Sequence, residues 1–167
     1  MERSGFFNSS DGDRLYDATD FASYFGKLAS NGIFYATATN LQVTASGGMG
    51  INVAAGSAWI NGYSYENTES LTLPLVTADG INPRIDRVVI RWSLINREIK
   101  LAVLTGAAVP SPTVPALTRT ADTYELGIAD ILVPQGSAVV APENITDTRL
   151  DTELCGLVNS LVSAVYE

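Results

Sequence analysis

The sequence predicts a mostly β protein, an antiparallel sandwich or a small barrel, with an N-terminal amphipathic helix before the strands and a C-terminal helix after them. Short β-rich runs separated by turn residues recur along the chain, at the spacing typical of sandwiches and barrels. Apolar residues repeat with a helical period before residue 32 and with a period of two after it. A helical period returns from about residue 150.

The leading helix is predicted over residues 17–32, DATDFASYFGKLASNG. Asp17 or Thr19 can cap its N-terminus, and Asn31-Gly32 is a typical C-terminal stop. One face carries large apolar side chains at helical spacing, namely Phe21, Tyr24, Phe25 and Leu28. This face either packs on the domain's own sheet or forms a stripe that binds a partner.

Two hairpins are the clearest β signals. Asn61-Gly62 separates the runs 58–60 and 63–65, and a two-residue turn of this type needs positive φ at both positions. Asn96 separates the longest β-rich runs, 86–94 and 98–104. Further strands are predicted over residues 41–44, 51–53, 71–73, 124–133 and 137–140.

The C-terminal helix is predicted from an a/d-like seam. Its apolar residues, spaced by four or three, are Leu150, Leu154, Leu157, Leu161 and Val165. A seam this short cannot hold an isolated helix in water. It therefore packs either on copies of itself, as an oligomer interface, or on its own sheet. The chain thus divides into an arm at 1–16, a β-rich domain with its leading helix at 17–149, and an oligomerisation helix at 150–167.

The composition narrows the possible functions. The chain contains no histidine, which removes the commonest general base and most zinc sites. The single cysteine, Cys155, cannot form an internal disulfide and is expected to be a small packing residue. The acidic residues are scattered along predicted turns. We therefore expect no enzyme, no catalytic residue, no cofactor and no metal.

Charge and hydropathy argue against two further classes of protein, nucleic-acid-binding proteins and membrane or exported proteins. The 10 basic and 18 acidic residues give a net charge of −8, and no basic cluster is present, so we expect no nucleic-acid binding. No apolar run approaches the ~18 residues that a membrane helix needs. The N-terminus also lacks the pattern of a signal peptide. We expect neither membrane insertion nor classical export.

Two groups of residues are candidate binding sites. Trp59, Tyr63 and Tyr65 surround the first hairpin turn and can either stack on a saccharide or pack across the strands as a partner surface. Arg84, Asp86 and Arg87 begin the second hairpin. They form either an ionic binding group or a local network of salt bridges.

Several strings of the sequence carry a family resemblance. They are GFFNSSDGDRLYDATDFASYFGKLASNGIF, SAWINGYSYENTESLTL, RIDRVVIRWSLINREIKLAVLTGA and ALTRTADTYELGIADILVPQGS, followed by ITDTRLDTELCG. In this order they resemble the N-terminal region of phage and prophage structural proteins of Gram-positive bacteria, described as baseplate upper proteins, tail-fibre proteins or receptor-binding subunits. The resemblance runs from Gly5 to Gly156.

The resemblance implies a virion attachment domain in a symmetric oligomer. The expected function is that of a structural component of a phage tail baseplate or fibre, assembled in the bacterial host cytoplasm. The expected partners are copies of itself, as a homotrimer, and other tail or baseplate proteins. Two alternatives stay open, a module that binds a host cell-surface saccharide and an enzyme that acts on cell-wall sugars.

Overall fold

The computed structural model describes residues 5–162. Within them the chain forms one α-helix, one short 3-10 turn at Pro142–Asn144 and ten strands. In chain order the elements are α1 Ala18–Phe25, β1 Gly32–Phe34, β2 Val43–Ala45, β3 Gly50–Val53, β4 Gly56–Ile60, β5 Tyr63–Asn67, β6 Leu71–Pro74, β7 Arg84–Ser93, β8 Glu98–Leu104, β9 Thr123–Val133 and β10 Ile145–Asp147. The predicted mostly β class and the leading helix are confirmed.

The strands form three antiparallel sheets. The largest has the order β10-β9-β7-β8, and the two smaller ones have the orders β1-β4-β5 and β2-β3-β6. The described strands close no barrel, so this part of the prediction was wrong. A barrel needs one continuous ladder, whereas here the ladder is interrupted between the sheets.

One hydrophobic core joins the three sheets. Ile33 of β1, Ile51 of β3, Ile60 of β4 and Ile90 of β7 are all fully buried in a single cluster. Five consecutive residues of β7, from Asp86 to Ile90, are buried because both faces of the large sheet are covered. The second face lies under the Pro-rich segment between β8 and β9.

Both predicted hairpins are present. β4 and β5 join through a two-residue turn in which Asn61 has φ 52° and Gly62 has φ 84°. β7 and β8 join through residues 94–97, next to the pair Ser93 and Glu98. The alternating pattern of the sequence and the turn residues thus fix this part of the fold.

Helix α1 is shorter than the predicted 17–32. Asp17, one of the two predicted caps, begins it and forms a capping box with Asp20. The helix ends at Phe25 because the following residues are held by other parts of the chain. The Ser30 amide donates to the Asn159 carbonyl at 2.9 Å, and β1 begins two residues later.

The predicted C-terminal helix is absent from the described residues. From Leu150 to Val162 the chain forms turns and isolated bridges, and Val165 lies outside the described part of the chain. The Ile33 amide donates to the Gly156 carbonyl, and the Ile33 carbonyl accepts from the Val158 amide, both at 3.0 Å. The segment extends along the edge of β1, so its backbone groups bond there instead of within a helix.

The leucines of the predicted seam therefore share no helical face. Leu157 packs against the domain's own core, and Leu154 is partly buried. Leu150 and Leu161 are exposed by 57% and 43%. Of the two packing modes expected for this segment, the described residues follow the one in which it folds back on its own domain.

The predicted strand at 137–140 was also wrong. The Gly136 amide donates to the Asp79 carbonyl and the Val140 amide to the Gly48 carbonyl, so separate loops anchor this stretch. The last strand is β10, which pairs with β9. Sequence analysis missed β10 and β1 because each is three residues long, too short for a period of two to be visible.

Candidate functional site

The predicted aromatic surface at the first hairpin is divided between two faces. Tyr63 and Tyr65 pair with buried core residues of β4 and lie on the core side of the sheet. Burial raises the pKa of the Tyr65 hydroxyl. Trp59 lies on the opposite side, where its ring meets the edge of the Phe25 ring at 6.0 Å. The three side chains do not form a common surface.

The N-terminal arm folds back over α1 through one phenylalanine. The centre of the Phe6 ring lies 5.5 Å from that of Tyr16, 5.4 Å from that of Phe21 and 5.1 Å from that of Tyr24. The Tyr16 hydroxyl accepts from the Phe7 amide at 2.9 Å and donates to the Phe7 carbonyl at 3.2 Å. Ring contacts thus hold the arm against the helix.

Five exposed aromatic residues lie on the arm and α1, and we call them the arm–helix surface: Phe6, Phe7, Phe21, Tyr24 and Phe25. Ring contacts connect all of them except Phe7, which follows Phe6 in the chain. Their exposed fractions run from 41% to 58%. Ala22 is the buried residue of α1, whereas the aromatic side chains of the helix are each exposed by 41% to 48%. Apolar surface of this kind commonly marks a site of protein–protein contact.

Arginine–carboxylate pairs fasten loops to the sheets, and the first is almost fully buried. Arg84 Nε lies 2.9 Å from Asp86 Oδ1, and the two side chains are exposed by 4% and 0%. The Arg84 guanidinium also donates to the carbonyls of Val76 and Thr77 in the loop before β7. Asp86 accepts from the Gly106 amide at 2.9 Å. This pair therefore holds two loops at once.

Two more pairs hold the Pro-rich segment between β8 and β9. Arg87 makes a bidentate ion pair with Asp130, at 2.7 and 2.8 Å, and donates to the Pro115 carbonyl at 3.1 Å. The buried Glu125, ion-paired with an arginine of β7, accepts from the Thr118 amide at 2.7 Å. The predicted group at 84–87 is thus two separate salt bridges with structural partners.

The fourth pair holds the loop between β1 and β2. Arg149 lies 2.6 Å from Asp147 and donates to the carbonyls of Ala38 and Asn40. Its guanidinium also stacks over the Tyr35 ring at 5.7 Å. The hydrogen bonds from Arg149 lower the pKa of Asp147. This pair ties the end of β10 to the loop between β1 and β2.

These contacts determine what the charged groups can do. Asp86, Glu125, Asp130 and Asp147 each face an arginine, so the arrangement favours fastening loops over proton transfer. Within residues 5–162, no three His, Cys, Asp or Glu side chains are grouped to hold a metal ion. Cys155 is buried in the core, as the sequence predicted.

Comparison of the chain with protein-family models, curated proteins and solved structures finds no match. The geometry and the resemblance of the sequence strings therefore carry the functional proposal. Among the described helical residues, no stretch is both long enough and apolar enough to cross a membrane.

A groove of about 440 Å³ lies where the ends of the two hairpins meet the start of α1. Tyr63 and Trp92 line it, with ring centres 5.8 Å apart and planes tilted by 38°. Arg97 and Glu98 from the second hairpin lie at the same groove. It combines a tyrosine of the predicted aromatic surface with residues of another sheet.

The sequence analysis predicted neither the arm–helix surface nor the groove between the hairpin ends. Phe6 lies within the predicted arm at 1–16, but only the folded chain brings its ring onto α1. Trp92 was placed on a strand, yet nothing in its spacing relates it to Tyr63, which lies 29 residues earlier in another sheet. Alternation along a strand predicts on which side of its sheet each side chain lies, but it does not predict which sheets pack against each other.

Proposed function

We propose that this chain is a non-enzymatic structural component of a phage tail, a baseplate or fibre subunit that acts as an attachment and assembly adaptor. The observation that carries the proposal is the arm–helix surface, with five half-exposed aromatic residues on one helix and its covering arm. Aromatic residues are enriched where proteins bind each other, because they bury a large area with few rotatable bonds.

The ionic pairs support the same function in a different way. Each of the four arginines donates to a strand carboxylate, and together these pairs fasten three loops to the sheets: the loop before β7, the segment between β8 and β9, and the loop between β1 and β2. We expect a mostly β domain whose loops are fastened in this way to be rigid. Rigidity suits an adaptor, because a preorganised surface loses little conformational entropy when it binds.

The sequence resemblance supplies the biological context of the proposal. The strings that resemble phage baseplate and tail-fibre proteins include the arm and α1, where the aromatic surface lies. On this proposal the chain forms a homotrimer, because closed cyclic symmetry is the usual form of homo-oligomers and tail fibres are threefold. It then contacts other tail proteins within the virion, after assembly in the host cytoplasm.

Electron microscopy of virions tests the proposal. Antibodies against the chain, with gold labels, are applied to purified particles of the phage that encodes it. We expect label at the tail and none on the capsid. A chain that is present in the lysate but leaves the particles unlabelled would contradict a role as a virion component. Particles disassembled before labelling control for buried epitopes.

A further inference from the structure

The groove between the two hairpin ends has the dimensions of a small-ligand site. Its volume of about 440 Å³ lies within the range that binding pockets usually occupy. It opens to solvent, and three elements contribute to it: the start of α1, the beginning of β5 and the β7–β8 turn. A rigid groove built from hairpin ends is suited to hold a ligand of fixed shape.

The apolar part of the groove is an aromatic corner. Trp92 is exposed by only 7% and forms the floor, while Tyr63 is partly buried and forms a wall. The faces of such rings carry partial negative charge, and the C–H groups on one side of a sugar ring carry partial positive charge. The corner therefore suits a pyranose ring. Thr19 and Ser64, both exposed, bring hydroxyl groups to the same groove.

The charge of the groove favours an acidic ligand. Among the arginines that the structure describes, Arg97 is the one whose guanidinium has neither a hydrogen bond nor an ion pair with another described residue. Glu98, its neighbour at the rim, is paired with Lys100 at 2.6 Å. The rim thus offers an unpaired planar cation, which binds carboxylate and phosphate groups through two parallel hydrogen bonds.

We propose that this groove binds an anionic saccharide. A sugar ring lies in the corner of Tyr63 and Trp92, and the acidic group of that sugar or its neighbour bonds to Arg97. The inference goes beyond the adaptor function and does not rest on it, because no residue of the arm–helix surface lines the groove. A chain that fails to assemble can still bind the sugar, and the reverse also holds.

The test uses tryptophan fluorescence, which two tryptophans in the chain make simple. In a Trp59→Phe background Trp92 is the sole reporter, and it lies on the groove floor. The probes are a tetrasaccharide of alternating glucuronic acid and N-acetylglucosamine, the neutral tetrasaccharide chitotetraose, and the peptide acetyl-Gly-Gly-Phe with a free carboxylate. Arg97→Asn removes the cation and keeps a residue that tolerates the φ of 54° found there.

We expect the acidic tetrasaccharide to bind more tightly than chitotetraose, and Arg97→Asn to weaken this binding about tenfold. Lys27→Gln, which removes one positive charge from the turn after α1 at a position that does not line the groove, should leave binding unchanged. Equal binding of the two sugars, or an equal loss in both variants, overturns the proposal. So does tighter binding of the peptide, or no response to the acidic sugar by fluorescence and by amide NMR shifts.

Discussion

Gly62 allows helix α1 to rest directly on the first hairpin turn. A Cβ atom at this position would lie 2.0 Å from the carbonyl oxygen of Ala22, and the residue has φ +84°. Left-handed backbone alone costs a non-glycine residue about 1–2 kcal/mol. Gly62→Ala must in addition push the helix away from the turn.

We expect Gly62→Ala to lower the free energy of unfolding by more than about 2 kcal/mol. Gly47→Ala is the matched control, because Gly47 has φ +88° and no atom within 4 Å of an added Cβ. Gly47→Ala should lower the free energy of unfolding only by the cost of the left-handed backbone. Urea denaturation of the two variants measures the difference. Equal losses would contradict the close contact between α1 and the turn.

The buried pair of Arg84 and Asp86 is expected to stabilise the fold far more than an exposed pair does. Asp86→Asn leaves the Arg84 charge without its partner at a site exposed by 4%. Removing one member of a buried pair typically costs about 3–5 kcal/mol, whereas exposed pairs contribute less than about 1 kcal/mol. Glu98→Gln, in the exposed pair with Lys100, serves as the control. If urea denaturation shows that the two variants lose similar free energies of unfolding, the proposed role of the Arg84–Asp86 pair in holding the two loops is wrong.

Asp147 gives the stability a defined dependence on pH. Hydrogen bonds from Arg149 lower the pKa of Asp147 from its ordinary value of 3.8. Because the folded-state pKa is the lower one, the contribution of the pair is fully present above about pH 4. It is lost as the pH falls through the folded-state pKa.

We therefore expect Asp147→Asn to destabilise the protein near neutral pH, and this difference from the wild type to shrink as the pH falls below about 4. Urea denaturation at a series of pH values measures it. A destabilisation that stays constant from neutral to acidic pH would show that the ionised carboxylate is not the stabilising group.

At the scale of elements, the sequence predicts a helix start or a turn correctly where a few adjacent residues determine it. Asp17 begins α1, and Asn61-Gly62 makes its turn, because capping and positive φ are properties of a few adjacent residues. The C-terminal segment could not be predicted in this way. Its leucines have helical spacing, but the free edge of β1 offers its backbone better-placed hydrogen bonds.

The thiol of Cys155 reports whether this C-terminal segment stays docked. The residue is buried, and burial raises the pKa of its thiol to about 12. The reactive thiolate is therefore nearly absent near neutral pH. We expect very slow reaction with a disulfide reagent such as DTNB in the native state and rapid reaction in urea. Leu157→Asp should accelerate the native reaction, because Leu157 packs against the core beside it.

A fast native reaction, or one that Leu157→Asp leaves unchanged, would contradict docking of the segment. Gly136→Ala provides a control, since that residue has no atom within 4 Å of an added Cβ and lies in a separate loop. It should leave the reaction rate close to that of the wild type. The same variants distinguish loosening of the segment from a general loss of stability.

At the scale of the whole molecule, the sequence predicted the residue types of the site better than their arrangement. Trp59, Tyr63 and Tyr65 are close in sequence, and strand alternation places the first on one face and the other two on the opposite face. The surfaces that do form combine the arm with α1, and one hairpin with another sheet. Such contacts depend on packing between distant segments, which short-range periodicity does not encode.

We propose that the copies of the homotrimer meet through the arm–helix surface, and light scattering tests this central claim most directly. The double variant Phe21→Ser/Tyr24→Ser removes two half-exposed rings, and Ile95→Ser removes an exposed side chain from the β7–β8 turn as control. We expect the wild type and the control to have a mass of three times 17.7 kDa. The double variant should have the mass of one chain and an unchanged circular dichroism spectrum. A wild type that is monomeric at about 100 μM, a concentration at which specific complexes are normally formed, would contradict the claim.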